Sequence, residues 1–318
     1  MLADVVGLLA CPHCGGPLVL DGRTVRCGGG HAFDVARQGY VNLLRGDART
    51  GTADTAAMVA ARQAFFDAGH FAPLSATVAA AAVALAPPAG CVLDLGAGTG
   101  HHLAAVLDAL PDRAGLALDL SKHAARRAAR AHPRIGAVVT DAWSRLPVRD
   151  GVAALVLSVF APRDGAEMAR VLAPGGAAIV VTPTPDHLRD LVDALDLLTV
   201  DEHKPQRLAR TLEGHLVPEG ADIHRHPLAL DHDAVAALVA MGPSAHHVDA
   251  DRLRGRIAAL PQPVRTAAEV RVARYRRAPD ADAGTCAVGQ LDDGPGSPTH
   301  TVLALQNSRM PRWDSSRP

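Results

Sequence analysis

The sequence predicts an α/β protein built on a doubly wound, mostly parallel sheet, with a small β module at its N-terminus. Three observations point there. Three of the five cysteines fall within the first 31 residues, as Cys11-Pro-His-Cys14 and, after a gap of twelve, Cys27-Gly-Gly-Gly-His31. From Pro87 onward, short apolar runs of buried-strand type alternate with alanine-rich stretches at helical spacing. The composition, 48% hydrophobic and 20% charged over 318 residues, supplies enough apolar material for one large core and an appendage.

The cysteine pattern has the spacing of a zinc site. Two cysteines separated by two residues turn tightly enough to aim both sulfurs at one point, and Cys27 with His31 completes a tetrahedron of soft and borderline ligands. Glycines at 15, 16, 28, 29 and 30 suit backbone that folds back towards a metal. Pro17–Leu20 and Thr24–Cys27 read as strands flanking the turn Asp21-Gly22. A module of this size holds no core unaided, so one structural zinc serves as its staple. Cys91 and Cys286 stand alone, which argues against a disulfide framework.

The module is delimited at residues 1–44, and a linker with helices spans 45–86. Polar residues Arg45–Thr52 lead into a helix capped by Asp54, with Met58, Ala61, Phe65 and Phe66 as its apolar stripe and its end near Gly69. Residues 87–277 carry the sheet. Cys91–Leu95, Ala114–Leu118, Ala137–Thr140, Ala153–Leu157 and Ala177–Val181 read as buried strands. Ser121–Ala131 and Asp164–Leu172 read as covering helices, the second closed by Pro174-Gly175-Gly176. Glu269–Tyr275 alternates with period two and reads as a late strand of the same sheet. Residues 278–318 turn to Pro, Gly, Ser, Asp and Thr, broken by the apolar run Thr301–Leu305, and read as a largely disordered tail.

Between the first of these strands and a helix lies Val92-Leu-Asp94-Leu-Gly96-Ala-Gly98-Thr99-Gly100. Glycines there let the backbone approach a ligand closely, and the helix terminus that follows offers N–H groups. The next strand leads to Asp119, nineteen residues after Gly100, where a carboxylate can accept hydrogen bonds from both hydroxyls of a ribose. Asp141 closes the strand after that, within reach of an adenine edge. The spacing Asp-x-Gly-x-Gly-x-Gly departs from the dinucleotide form and resembles motif I of the S-adenosylmethionine-dependent methyltransferases.

Joined to the cysteine module, this loop resembles one family, the RlmA-type bacterial 23S ribosomal RNA guanine-N1 methyltransferases, which includes enzymes conferring tylosin and mycinamicin resistance. The matching residues run from Cys11-Pro-His-Cys14 and His31-Ala-Phe-Asp34 through Gly39-Tyr-Val-Asn-Leu-Leu44, Ala61-Arg62 and Ala64-Phe-Phe-Asp-Ala-Gly-His-Phe71. They continue in Leu118–Lys122, Phe160–Pro162, Val171–Gly176 and Thr182–Leu188, covering about residues 11 to 277. The resemblance implies a Rossmann-like class I methyltransferase fold and Cys11, Cys14, Cys27 and His31 as zinc ligands. It implies S-adenosyl-L-methionine contacts at Phe71, Gly98, Thr99 and His187, which join Asp94, Gly96, Gly100, Asp119 and Asp141 from the strand ends. Phe71 stands where relatives often carry Tyr, which removes a hydroxyl and keeps a ring face. His101-His102 stands where they often carry aromatics. The implied substrate is guanine N1 in the hairpin 35 region of 23S rRNA, the implied consequence macrolide resistance, and the implied assembly a homodimer.

Guanine N1 lies on the pairing edge, so the base must be unpaired or extruded before it is reached. No catalytic base is legible. The Asn/Asp-Pro-Pro-Tyr signature of amino methyltransferases is replaced by Ser158–Pro162, in which Phe160 is a candidate to stack on the target. At a net charge of −1, any grip on phosphates must be local. Lys122–Arg134 holds five basic residues and no acid, and Arg252–Arg277 holds eight arginines against Glu269. Arg23, Arg26, Arg37, Arg45 and Arg49 add charge on or beside the cysteine module. The chain start lacks the layout of a signal peptide and no apolar run reaches the length of a membrane span, so a cytoplasmic protein without a membrane partner is expected. Two other readings share the loop. A small-molecule methyltransferase has no need of a zinc module, and a non-catalytic zinc-dependent RNA-binding protein has no need of an intact Asp94, Gly96, Gly98, Gly100 and Asp119.

Overall fold

A computed structural model describes residues 1–279 apart from 47, 49, 52, 88, 198–203 and 243–248. Arg49 and the expected tail from 280 onward lie outside the described residues. The chain opens with a helical turn, α1 (Leu2–Val5), followed by an antiparallel sheet of β1 (Leu18–Asp21), β2 (Thr24–Cys27) and β3 (Ala32–Asp34). Leu18 pairs with Cys27 and Asp21 with Thr24, so Asp21-Gly22 is the hairpin turn the sequence predicts. β4 (Tyr40–Asn42) then leaves the module and joins the main sheet beside a later strand, Tyr40 opposite Ala137.

Two helices follow, α2 (Ala56–Asp67) and α3 (Ala72–Leu85). The predicted cap of α2 is displaced by one residue. Thr55 accepts the N–H of Met58, and Asp54 pairs instead with Arg62. A threonine hydroxyl in extended backbone meets the first-turn amide directly, which frees the carboxylate for the stronger charged partner.

The remaining elements are β5 (Cys91–Leu95), α4 (His101–Ala109), β6 (Gly115–Asp119), α5 (Lys122–Ala131), β7 (Ile135–Val139), β8 (Ala153–Val159), α6 (Gly165–Val171) and β9 (Leu172–Pro183). After them come α7 (Arg189–Leu195), α8 (Lys204–Leu212), β10 (Leu216–Leu230), α9 (His232–Ala240), α10 (Ala250–Ala258) and β11 (Val264–Arg277). The main sheet has the order β10-β11-β9-β8-β5-β6-β7-β4. Strands from β9 to β4 run parallel to one another, and β11 and β10 are antiparallel. Order reverses between β5 and β8: the chain winds outward through β6 and β7, then returns to the other side of β5. Ligands of open α/β sheets sit at such a switch point, outside the carboxyl ends of the strands.

Because side chains alternate along a strand, each face of the sheet collects its own core. On one face Val92, Ala117, Ala137 and Leu157 meet Leu103 and Leu107 of α4, Ala125 and Ala128 of α5, and Leu74 and Val78 of α3. On the other, Leu93, Leu116, Val138 and Val156 meet Met168 of α6 and, unexpectedly for a stapled appendage, Leu9, Leu18 and Val25 of the cysteine module. The module therefore borrows the main core. Metal is not its sole support, because these buried side chains already lie under the sheet.

Candidate functional site

The cysteine cluster forms where the hairpin and the Cys11–Cys14 turn meet. The ligand atoms of Cys11, Cys14, Cys27 and His31 all lie within 4.8 Å of one another. Cys11 Sγ is 3.6 Å from His31 Nδ1, Cys14 Sγ 3.6 Å from Cys27 Sγ, and Cys27 Sγ 3.3 Å from His31 Nδ1. Ligands of tetrahedral zinc stand about 3.5–3.8 Å apart at the usual bond lengths, so these four fit one ion with little adjustment. No open coordination position is needed, which is the layout of a structural site.

A cavity of about 720 Å³ opens at the switch point, lined from the ends of β5, β6, β7 and β8. That volume is usual for a site taking a small cofactor. Its floor is the glycine loop. Gly96 has φ +66°, and a Cβ there would stand 2.6 Å from the Cβ of Ala161, so both its conformation and its neighbour demand glycine. Gly98, at φ +56°, has the Arg62 side chain 3.5 Å from where its Cβ would be. The Gly98 N–H donates to Asp119 Oδ2 at 2.8 Å, and Ser121 N–H donates to Asp119 Oδ1 at 2.8 Å. The loop amide expected to face a ligand is thus spent on the acid, and its role is to aim that carboxylate into the cavity.

Asp94 and Asp119 lie close together in a buried setting. Burial, and then the neighbouring Asp119, push the Asp94 carboxyl up to about 8. Burial likewise raises Asp119, opposed by the Ser121 and Gly98 amides. Of the two, Asp119 faces the cavity, where a carboxyl group fixed by two amides can accept from a hydroxyl-bearing guest. Asp119, Gly96, Gly98 and Thr99 line the cavity, as do Phe71, Asp141 and His187. Asp94 and Gly100 stand behind this lining and are absent from it. Phe71, 4% exposed, packs edge-on against Phe65 and Phe66 at ring distances of 4.9 and 5.6 Å.

His187 does not cap the helix that follows; Leu188, at φ +56°, occupies that position. The His187 Nδ1 lies 3.0 Å from the carbonyl of Glu269, so Nδ1 carries the proton and donates. Its ring lies 5.5 Å from that of Phe160, whose backbone is left-handed at φ +54°. Such strain in a bulky residue is held only where surrounding structure imposes it, commonly at a site. Asp141 accepts from Trp143 N–H at 2.9 Å and from Ser144 Oγ–H at 3.3 Å, ordering its own loop.

Other residues of the cavity are given no role by the sequence pattern. Arg62 lines it, pairs with Asp54 and donates to the carbonyl of Met241 at 2.8 Å. Its hint in the sequence is the run Ala61-Arg62, which belongs to the resemblance but carries no assigned contact there. Leu238, Val239 and Met241, at the end of α9, close one wall. Their contribution is illegible in the sequence because α9 lies far along the chain from the glycine loop. Trp143 lines the mouth.

The basic clusters divide. On α5, Lys122, Arg126, Arg127 and Arg130 are exposed and make no ion pair among the described residues. Arg134 instead donates to the carbonyls of Leu110 and Arg113, at 2.8 and 2.6 Å, and to Leu107. The Arg252–Arg277 cluster is largely structural. Arg256 binds the carbonyl of Leu195, Arg276 those of Leu85 and Gly175, Arg277 that of Leu172, while Arg274 pairs with Asp222 and Arg254 with Asp251. On the cysteine module Arg23 donates to the Val35 carbonyl and Arg26 pairs with Asp21. Orphaned carbonyls at element ends recruit guanidinium groups, and a charge count does not distinguish those from a free surface.

Comparison with known proteins agrees with this geometry. The RlmA N-terminal zinc-ribbon family matches residues 9–48, and a methyltransferase-domain family matches residues 92–176. The 23S rRNA (guanine(748)-N(1))-methyltransferase of Streptomyces fradiae is 55% identical over 263 residues, 82% of this chain and 94% of that protein. A Micromonospora griseorubida protein, provisionally named a 23S rRNA (guanine-N(1)-)-methyltransferase, is 52% identical over 294 residues, 87% of this chain and 99% of its own length. Among solved structures, the YcgJ protein of Bacillus subtilis superposes with a TM-score of 0.44 at 17% identity, covering 60% of this chain and 93% of that one. The chain belongs to the RlmA-type 23S rRNA (guanine-N1)-methyltransferase family, and is an rRNA methyltransferase that uses S-adenosyl-L-methionine and carries a structural zinc.

Proposed function

We propose that this enzyme methylates N1 of a guanine in the hairpin 35 region of 23S rRNA, at or beside the position 748 that names the Streptomyces fradiae relative, and so confers resistance to macrolides of the tylosin and mycinamicin type. The observation that carries the proposal is 55% identity sustained over 94% of that relative. Its setting would be the cytoplasm, where the rRNA is. Primer extension on 23S rRNA incubated with the protein and cofactor tests it, because a methyl on N1 removes the pairing edge and stops reverse transcriptase.

The cavity residues divide the work as follows. S-adenosyl-L-methionine would supply a methyl group made electrophilic by its sulfonium. Asp119, fixed by two backbone amides, accepts from the ribose hydroxyls. Asp141 faces the adenine, Phe71 offers a ring face, and Gly96, Gly98, Thr99 and Gly100 leave room for the methionine tail, with Asp94 behind them. Arg62, held over Gly98 by Asp54 and the Met241 carbonyl, provides positive charge for the carboxylate of that tail. Phe160 and His187 line the side from which the guanine enters, and the strained Phe160 ring stacks on the base.

Zinc, held by Cys11, Cys14, Cys27 and His31, shapes a lobe that grips the RNA hairpin and takes no part in methyl transfer. The module covers one face of the sheet and α5 the other, both beside β7 and the edge strand β4. Exposed arginines on α5 hold phosphates as the RNA passes that edge.

A further inference from the structure

We propose that Trp143 is a second stacking platform, for an unpaired nucleobase next to the target guanine. Large apolar side chains with more than a third of their surface exposed are Met1, Val19, Val83, Trp143, Phe160, Val217 and Ile223 among the described residues. Trp143 is the most exposed of these, at 70%. Only Trp143 and Phe160 line the cavity, and they are the two aromatics of the set. In a chain that is 3% aromatic, two rings turned to solvent at one mouth are a costly arrangement without a guest.

The Trp143 exposure does not come from a loose loop. Asp141 Oδ1 accepts from Trp143 N–H, its Oδ2 accepts from Ser144 Oγ–H, and its backbone carbonyl accepts from Ser144 N–H at 3.2 Å. The backbone is fixed while the indole projects outward. Ser144 and Arg145 beside it are also exposed, so no apolar neighbour in sequence shields the ring.

The two rings sit on different strand ends. Trp143 follows β7 and Phe160 follows β8, with β5 and β6 between those strands. Phe160 is the ring offered to the target guanine, which leaves Trp143, on the far side of the mouth, for a second base. Single-stranded RNA is commonly held by aromatic side chains that each take a successive base, because every base has a π-face. Extruding one guanine leaves its neighbour without a stacking partner, and Trp143 replaces the lost stack. The inference rests on the RNA reading given above.

The chain has two tryptophans, Trp143 and Trp313, so a W313F background isolates the indole of interest. A hairpin RNA carrying the hairpin 35 sequence is titrated into this protein while emission is followed, and S-adenosylhomocysteine is titrated separately. RNA should quench the emission and the cofactor product alone should not. In the native background, W143A should weaken RNA affinity roughly 5- to 150-fold, the range for loss of one base stack, with W143F restoring most of it and cofactor affinity unchanged in both. RNA that binds without quenching, or with equal affinity for W143A, overturns the proposal and leaves the RNA reading standing. Quenching by S-adenosylhomocysteine alone assigns the ring to the cofactor's adenine and overturns it too. Failure of any 23S fragment to bind the native protein removes the RNA reading itself.

Discussion

Asp94 behaves far from a carboxyl group in water. With its carboxyl raised to about 8 by burial and by Asp119, the folded protein binds a proton there that the unfolded chain releases near pH 4. A raised pKa gives stability that is complete below the unfolded value and lost as pH climbs through about 8. D94N removes that loss. Its unfolding free energy should gain on the parent between pH 5 and 8 by at most about 1.4 kcal/mol per pH unit, read from urea midpoints, while its cofactor affinity falls. Gly96 makes the opposite case. G96A adds a left-handed penalty of about 1–2 kcal/mol and a clash with Ala161, so both stability and cofactor binding should drop in calorimetry. Both residues are legible from spacing alone, since a strand-to-helix turn leaves few ways to expose backbone. Trp143 is not, because a loop tryptophan carries no periodic or motif signal, and Arg62 is visible only as part of Ala61-Arg62 in the resemblance, with no role attached to it.

At the scale of elements, the parallel strands and the cofactor loop are readable because strands buried on both faces show continuous apolar runs. β10 is not. As an edge strand it exposes Val217–Gly220 throughout, and where burial does alternate, from Ile223 to Leu230, the inward positions begin with His224 and His226 and an outward one is the apolar Ile223, so no apolar period marks it. α9 escapes because its alanines give a weak stripe, and α8 and α10 because each is short and rich in arginine, with few apolar residues to mark a buried face. The α5 helix tests the electrostatic part of the account. Replacing Arg126 and Arg127 by Glu should weaken RNA binding and flatten the salt dependence by about 0.7–0.9 in log–log slope for each phosphate no longer neutralised, without changing cofactor affinity. Equal slopes would remove α5 from the RNA path. Stripping zinc with a chelator should abolish RNA methylation and lower the melting temperature, yet leave S-adenosylhomocysteine binding in calorimetry, because the cavity draws no lining residue from the cysteine module.

The described residues place a zinc lobe on one face of a methyltransferase sheet and a basic helix on the other, with the cavity proposed for the cofactor at the carboxyl ends of the strands. The sequence anticipates both parts but presents the lobe as a metal-stapled appendage, since the shared core of Leu9, Leu18 and Val25 with the sheet arises only from the tertiary fold. That sharing gives the lobe a fixed position, which its proposed grip on an RNA hairpin requires. Among the described residues no single helix is long and apolar enough to cross a membrane. The central claim is that this assembly delivers a methyl group to one nitrogen of one rRNA base. It is tested most directly by reverse transcription of 23S rRNA after incubation with the zinc-loaded protein and S-adenosylmethionine. One cofactor-dependent stop adjoining a hairpin 35 guanine is expected, abolished in a variant with Asp119→Ala. Full-length extension with the label recovered in a macrolide, or in no acceptor, would contradict it.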